Sequence, residues 1–322
     1  MSLIVTARDL ARDIDDFLRF KRAMGMPYLR GETNLNGFLR FIGERWGERS
    51  PVALDEAVRQ WVSRIDGRKA VTVGNEFGVV RQLCLYRRRR DPSSYVPDHA
   101  QAPIKESTFV PYIFTRDEVM RVVRAASAYQ GPSILGPVLH TLLLVLYCTG
   151  LRLGEAVRLP TPDVDLQRNT FMVHDSKGRS RIVPFRADLA EELRHYVAAR
   201  SKLVNEHDDD PSSFFLGRHA RPLTVKRASE AIRWLLRQLG IKPPSGRTGP
   251  RPYEFRHAFA VHRLTAWALA GEDVHARIPW LSAYLGHQNL LGTEVYLKAT
   301  PQLLELASNR FEQHLRRARR PR

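Results

Sequence analysis

The chain has 322 residues, long enough for two domains with their own cores, and carries 51 Lys and Arg against 34 Asp and Glu, a net charge of +17. A chain this basic is expected to meet a polyanion, most commonly nucleic acid, and arginine, whose planar fork grips phosphate through two donors, is the preferred cation. Two cysteines, Cys84 and Cys148, exclude a disulfide framework and a zinc ligand set; both are expected as buried thiols in a reducing compartment.

Residues 8 to about 90 read as helices only. Arg8 to Met24, Thr33 to Trp46, Ala53 to Ile65 and Val71 to Arg90 each place apolar residues three and four apart. Breaks fall at Gly25-Met26-Pro27, Ser50-Pro51 and Asp66-Gly67. The last helix ends in Arg87-Arg88-Arg89-Arg90, either a solvated helix end or a phosphate-facing run leading into a linker. Asp91 to Pro111 has no periodicity and holds four prolines.

Thr115-Arg116-Asp117-Glu118 is a capping box that opens a helix through Tyr129. The almost wholly apolar stretch from Leu135 to Tyr147 is expected as the central buried helix. Two extended stretches, Asp163 to Val173 and Arg181 to Phe185, flank turn residues Asp175 to Arg179. Helices are expected again at Ala187 to Lys202, Thr224 to Leu239, Glu254 to Ala270, Ile278 to Leu285, Gly292 to Leu297 and Pro301 to Arg316. No apolar stretch is long enough to cross a bilayer, and no signal-peptide core precedes Arg8, so an intracellular chain is expected.

Three segments carry the chemistry. In T-G-L-R-L-G-E, Arg152 follows a glycine-marked turn, and Glu155 stands one helical turn on, where a carboxylate can fix the guanidinium's direction. In R-P-Y-E-F-R-H, Arg256 sits in the first turn of a helix beside His257, where free backbone N–H groups favour an anion. In L-G-H-Q-N-L-L-G-T-E-V-Y, Tyr296 follows His287 by nine residues with turn residues between. A tyrosine hydroxyl and clustered positive charge can cut and rejoin a phosphodiester without metal or cofactor. Lys177, at the hairpin tip, is either a solvated lysine or a general acid, with Arg179 its competitor.

These boxes resemble those of tyrosine recombinases of the phage integrase family, over about residues 1 to 315 and most specifically at Thr149 to Leu159 and Arg251 to Lys298. The resemblance implies a mainly α fold with a small antiparallel β element. A helical core-binding domain would span 1–95, a linker 96–112, a mixed α/β catalytic domain 113–300 and a C-terminal helix with basic tail 301–322. It implies that Arg152 and Arg256 hold the scissile phosphate and Tyr296 attacks it to form a 3′-phosphotyrosyl bond. Lys177 would act as acid, Glu155 would support Arg152, and His287 would contact the phosphate. It further implies double-stranded DNA as partner, a tetramer of identical or related subunits, and a cytoplasmic, nucleoid-associated enzyme. The family's second box usually begins with histidine; here Tyr253 stands there, and a phenol releases its proton only near pH 10. The segment Ala266 to Pro279 resembles transposon-associated members. Two other readings remain open at this point: a type IB topoisomerase, and a DNA-binding accessory protein with weakened catalysis.

Overall fold

The computed structural model describes residues 4–64, 67–102, 111–132, 134–174, 180–207, 212–246, 248–287, 289, 291–294 and 296. The chain divides into two compact units, Met1–Phe109 and Val110–Arg322.

The first unit is built on four helices: α1 (Ala7–Ala23), α2 (Leu29–Trp46), α3 (Leu54–Ser63) and α4 (Ala70–Arg90). Thr6 starts α1 by accepting from the Asp9 N–H at 3.1 Å, satisfying one of the free donors of a helix start. Leu10, Ile14 and Phe17 of α1 meet Leu35, Phe38 and Ile42 of α2 and Phe77, Val80 and Leu83 of α4 in one core. A short antiparallel pair, β1 (Ile4–Val5) and β2 (Val52–Ala53), closes the bundle. A reading of helices only misses it, because two residues are too few to show a period of two. At the end of α4, Arg87 pairs with Asp13 at 2.7 Å and Arg90 with Asp16 at 2.7 Å, so both tie α4 to α1. Arg89 lies over the Phe20 ring, and Arg88 is exposed.

In the second unit, α5 (Arg116–Ser127) opens on the Thr115 and Glu118 capping box. Helix α6 (Gly136–Thr149) is apolar on nearly every side and runs through the core, packed by α5, α8 (Ala187–His207) and α10 (Glu254–Leu269). Gly150 ends it at φ +64; a Cβ there would lie 2.5 Å from Phe259 Cδ1, so both backbone and space demand glycine. The short α7 (Leu153–Val157) follows at once.

A three-stranded antiparallel sheet of β3 (Val164–Asp165), β4 (Thr170–Val173) and β5 (Arg181–Pro184) comes next. The single stretch expected from Asp163 to Val173 is divided because the Asp165 carboxylate accepts from the Gln167 and Arg168 N–H groups and Asn169 turns at φ 54. Beyond α9 (Val225–Gln238) and α10 lies α11 (Val274–Leu285), four residues longer at its start than expected. Asp273 caps it through the N–H groups of His275 and Ala276, and Pro279 falls within it. A last short turn of helix, α12, spans Leu291–Glu294. The expected helix Pro301 to Arg316 lies outside the described residues.

Cys84 is buried, but Cys148 is exposed, because it faces outward from the end of α6. Among the described residues no helix is long and apolar enough to cross a membrane, and no group of His, Cys, Asp and Glu could hold a metal ion.

Candidate active site

The C-terminal end of α11 organises the site. A helix end leaves its last carbonyls without intrahelical partners and concentrates partial negative charge. Three successive carbonyls there each accept from an arginine. Tyr284 O takes Arg181 Nε at 2.9 Å, Leu285 O takes Arg256 Nη2 at 2.7 Å, and Gly286 O takes Arg152 Nη2 at 3.2 Å. The helix stops because Gly286 adopts φ +69.

Arg152 stands just before α7. Its Nη1 donates to Glu155 at 2.6 Å and its backbone N–H donates to the same carboxylate at 2.9 Å. Glu155 is buried, so its charge needs such partners. Arg256, in the first turn of α10, is 1% exposed. Its Nη1 donates to Gly150 O at 2.8 Å, while Nε has no hydrogen-bond acceptor among the described residues. Burial lowers the pKa of Arg256, and the nearby Arg152 guanidinium lowers it further.

Tyr296 is buried and packs edge-on against His257, with ring centroids 5.2 Å apart. Burial pushes its hydroxyl up to about 12, while the neighbouring Arg256 and Arg152 charges pull it back. His287 lies 6.2 Å from the Tyr296 ring, centroid to centroid, and its Nδ1 is 2.7 Å from Thr293 Oγ1. Buried Thr293 also accepts the Tyr296 N–H at 3.0 Å, so one residue links histidine and tyrosine.

Tyr253 precedes α10 and is 39% exposed, its ring edge-on to His257 at 4.8 Å. His257 is buried beside Arg256 and Arg251. Burial, then those charges, depress its pKa to about 4, which leaves the imidazole neutral. Its Nε2 is 3.3 Å from Glu254, a buried carboxyl whose pKa burial raises.

The structure thus brings Arg152, Glu155, Tyr253, Arg256, His257, His287 and Tyr296 into one unit of the chain around the end of α11. Lys177 and Arg179 lie outside the described residues. Arg87, Arg88, Arg89 and Arg90 belong to the first unit. Sequence reasoning missed Arg181 and Thr293. Arg181 carried one usable signal, since it occupies the inward face of β5 together with buried Val183, where a charge is out of place without partners.

Residues 113–302 match the model of the phage integrase family. The candidate integrase/recombinase y4rB of Sinorhizobium fredii is 27% identical over 304 residues, covering 93% of this chain and 96% of that one. Tyrosine recombinase XerA of Thermococcus kodakarensis is 32% identical over 212 residues, 65% of each chain. The Tn1549 transposon integrase, solved in complex with transposon right end DNA, superposes with a TM-score of 0.68. It is 16% identical and covers 95% of this chain and 99% of that one.

Proposed function

Because the chain belongs to the phage integrase family, we propose that it is a site-specific tyrosine recombinase that breaks and rejoins DNA strands through Tyr296. One observation carries the assignment of residues: two guanidinium groups, Arg152 and Arg256, are anchored on adjacent carbonyls, with a buried tyrosine beside them.

The chemistry follows from that arrangement. The Tyr296 oxygen attacks the scissile phosphorus, and the bond to the 5′ oxygen breaks as the 3′-phosphotyrosyl bond forms. Arg152 and Arg256 meet the charge that builds on the non-bridging oxygens. The leaving 5′ oxygen takes a proton from Lys177. Reversal, with the 5′-hydroxyl of another strand, completes exchange and conserves the energy of the phosphodiester. With a pKa pushed up to about 12, the phenol rests protonated, and its proton passes to water or to a non-bridging phosphate oxygen as the oxygen–phosphorus bond forms. His287 is placed through Thr293 to contact the phosphate.

Full exchange engages four active sites, so the working assembly is a tetramer on two DNA sites. The likeness to the Tn1549 transposon integrase and the segment Ala266 to Pro279 support a mobile element as the setting. Tyr253, standing where the family has histidine, supports a slower enzyme, and its extreme form is an accessory protein that binds DNA without cutting it.

The experiment is a covalent trap. A nicked duplex, carrying a site selected by this chain from random-sequence DNA, loses the strand end after cleavage and leaves the adduct stranded. Wild type is expected to give a protein–DNA adduct stable in detergent, and Tyr296→Phe none, while both bind the duplex alike. An adduct from the Phe variant overturns the assignment of Tyr296; binding without adduct in wild type favours the accessory role.

A further inference from the structure

The β5 strand alternates between exposed and inward positions, and Val183 and Arg181 share the inward side. An arginine placed there must find acceptors. Arg181 finds three. Its Nη1 and Nη2 reach Glu155 at 3.2 and 2.8 Å, and its Nε reaches Tyr284 O at 2.9 Å. The neighbouring Gly286 leaves the room for it: a Cβ at that position would lie 2.8 Å from Arg181 Nη1.

Glu155 therefore stands between two guanidinium groups. One belongs to Arg152, the other to Arg181, and the two cations would repel without the carboxylate. A bidentate fork fixes the plane of a carboxylate as well as its distance. Arg181 thus sets the direction in which Glu155 presents its oxygens, and that direction sets where Arg152 Nη1 points. Arg181 is also the first residue of β5, four positions after Lys177, so it pins that end of the strand to the same carboxylate.

We propose that Arg181 is a positioning residue of the strand-cleavage reaction. It acts through Glu155 to aim Arg152 at the phosphate, and through the Tyr284 carbonyl to hold β5 against the end of α11. The proposal rests on the recombinase reading of this site.

The test measures single-turnover adduct formation on the nicked duplex, at saturating protein and well below melting, beside DNA affinity and thermal melting. Arg181→Met is expected to slow adduct formation between about tenfold and a hundredfold, the range in which a misdirected clamp group acts, with affinity changed less than about threefold. Arg181→Lys, which keeps the charge but lacks the fork, is expected to fall between. Combining Arg181→Met with Glu155→Gln is expected to slow the reaction little beyond the slower single variant, since both break the same chain of contacts. Val183→Ala, in the same strand but away from the site, reports on general destabilisation; it is expected to lower the melting temperature and keep the rate. A wild-type rate in Arg181→Met, or a loss no larger than in Val183→Ala, overturns the proposal. Hydrogen exchange at the Arg152 side-chain N–H, followed by nitrogen-labelled NMR, gives a readout free of activity. It is expected to speed up at least tenfold in Arg181→Met, and unchanged exchange overturns the proposal. Wild type forming no adduct sinks the recombinase reading instead, and Arg181 is then judged on exchange alone.

Discussion

Arg256 donates from Nη1 to the carbonyl oxygen of Gly150 at 2.8 Å, across 106 residues of chain. The same guanidinium donates to Leu285 O, so one buried side chain joins the end of α6, the start of α10 and the end of α11. Arg256 therefore has two duties, holding these three elements together and presenting charge to a phosphate.

Arg256→Lys separates the two duties. An ammonium keeps the charge but has no planar fork to span both carbonyls. Each buried carbonyl left without a donor costs about 1–3 kcal/mol, so melting should drop by several degrees. Loss of one well-aimed donor costs on the order of 3 kcal/mol of transition-state stabilisation, roughly a hundredfold in rate. Single-turnover adduct formation and calorimetry should record both losses; a variant with native melting and native rate would refute either duty.

Gly286→Ala should damage the site without replacing any charged group. At φ +69 an L-residue carries backbone strain of about 1–2 kcal/mol, and the new methyl meets the Arg181 guanidinium. A lower melting temperature together with slower adduct formation is expected. Slower formation alone would mean the strain term is negligible, and lower melting alone that Arg181 tolerates displacement.

Tyr253→His restores the residue usual at this position. The site is partly exposed, so stability should change little. An imidazole adds a group that titrates near neutral pH. Adduct formation should quicken several-fold and gain a pH dependence between about pH 6 and 8 beyond that of wild type. Identical pH–rate profiles would show that Tyr253 already does everything histidine does.

His257 predicts the direction of acid sensitivity. Its pKa is 6.5 when unfolded and falls to about 4 in the fold, so the unfolded chain binds the extra proton first. The group makes no difference above pH 6.5 and increasingly destabilises the fold as pH falls from 6.5 towards 4. Glu254 works the opposite way, because its raised pKa favours the fold at low pH and withdraws that help as pH rises past 4.5. Glu254 is present in wild type and in His257→Gln alike, so comparing the two isolates the histidine. Wild type should therefore lose melting temperature from pH 6.5 to 5 more steeply than His257→Gln. Parallel curves would place the lost stability on another group.

Much of the fold was readable in the chain. Capping by Thr115 and Glu118, the apolar run of α6 and the stop at Gly150 are all set by residues within a turn of one another. The division of the sheet at Asp165 was hidden, because an Asx turn competes with a strand through one side chain and leaves the alternation around it intact. The early start of α11 was hidden too, because Pro279 reads as a boundary in sequence while the capping signal at Asp273 sits a turn and a half upstream. Arg87 and Arg90 showed only as charge, with nothing local to reveal Asp13 and Asp16 as their partners.

By itself, the sequence determined the helical periodicities, the two arginine boxes, the spacing of His287 and Tyr296 and thus the family, because all of these reside in short-range order along the chain. Only the tertiary structure decided where each charge ends. These arginine side chains reach acceptors on elements 26 to 134 residues away along the chain, and which carbonyls are left open depends on how helices pack and stop. That packing gathered Arg152, Arg181 and Arg256 on three consecutive carbonyls at the end of one helix, and gave Glu155 two guanidinium groups to hold instead of one.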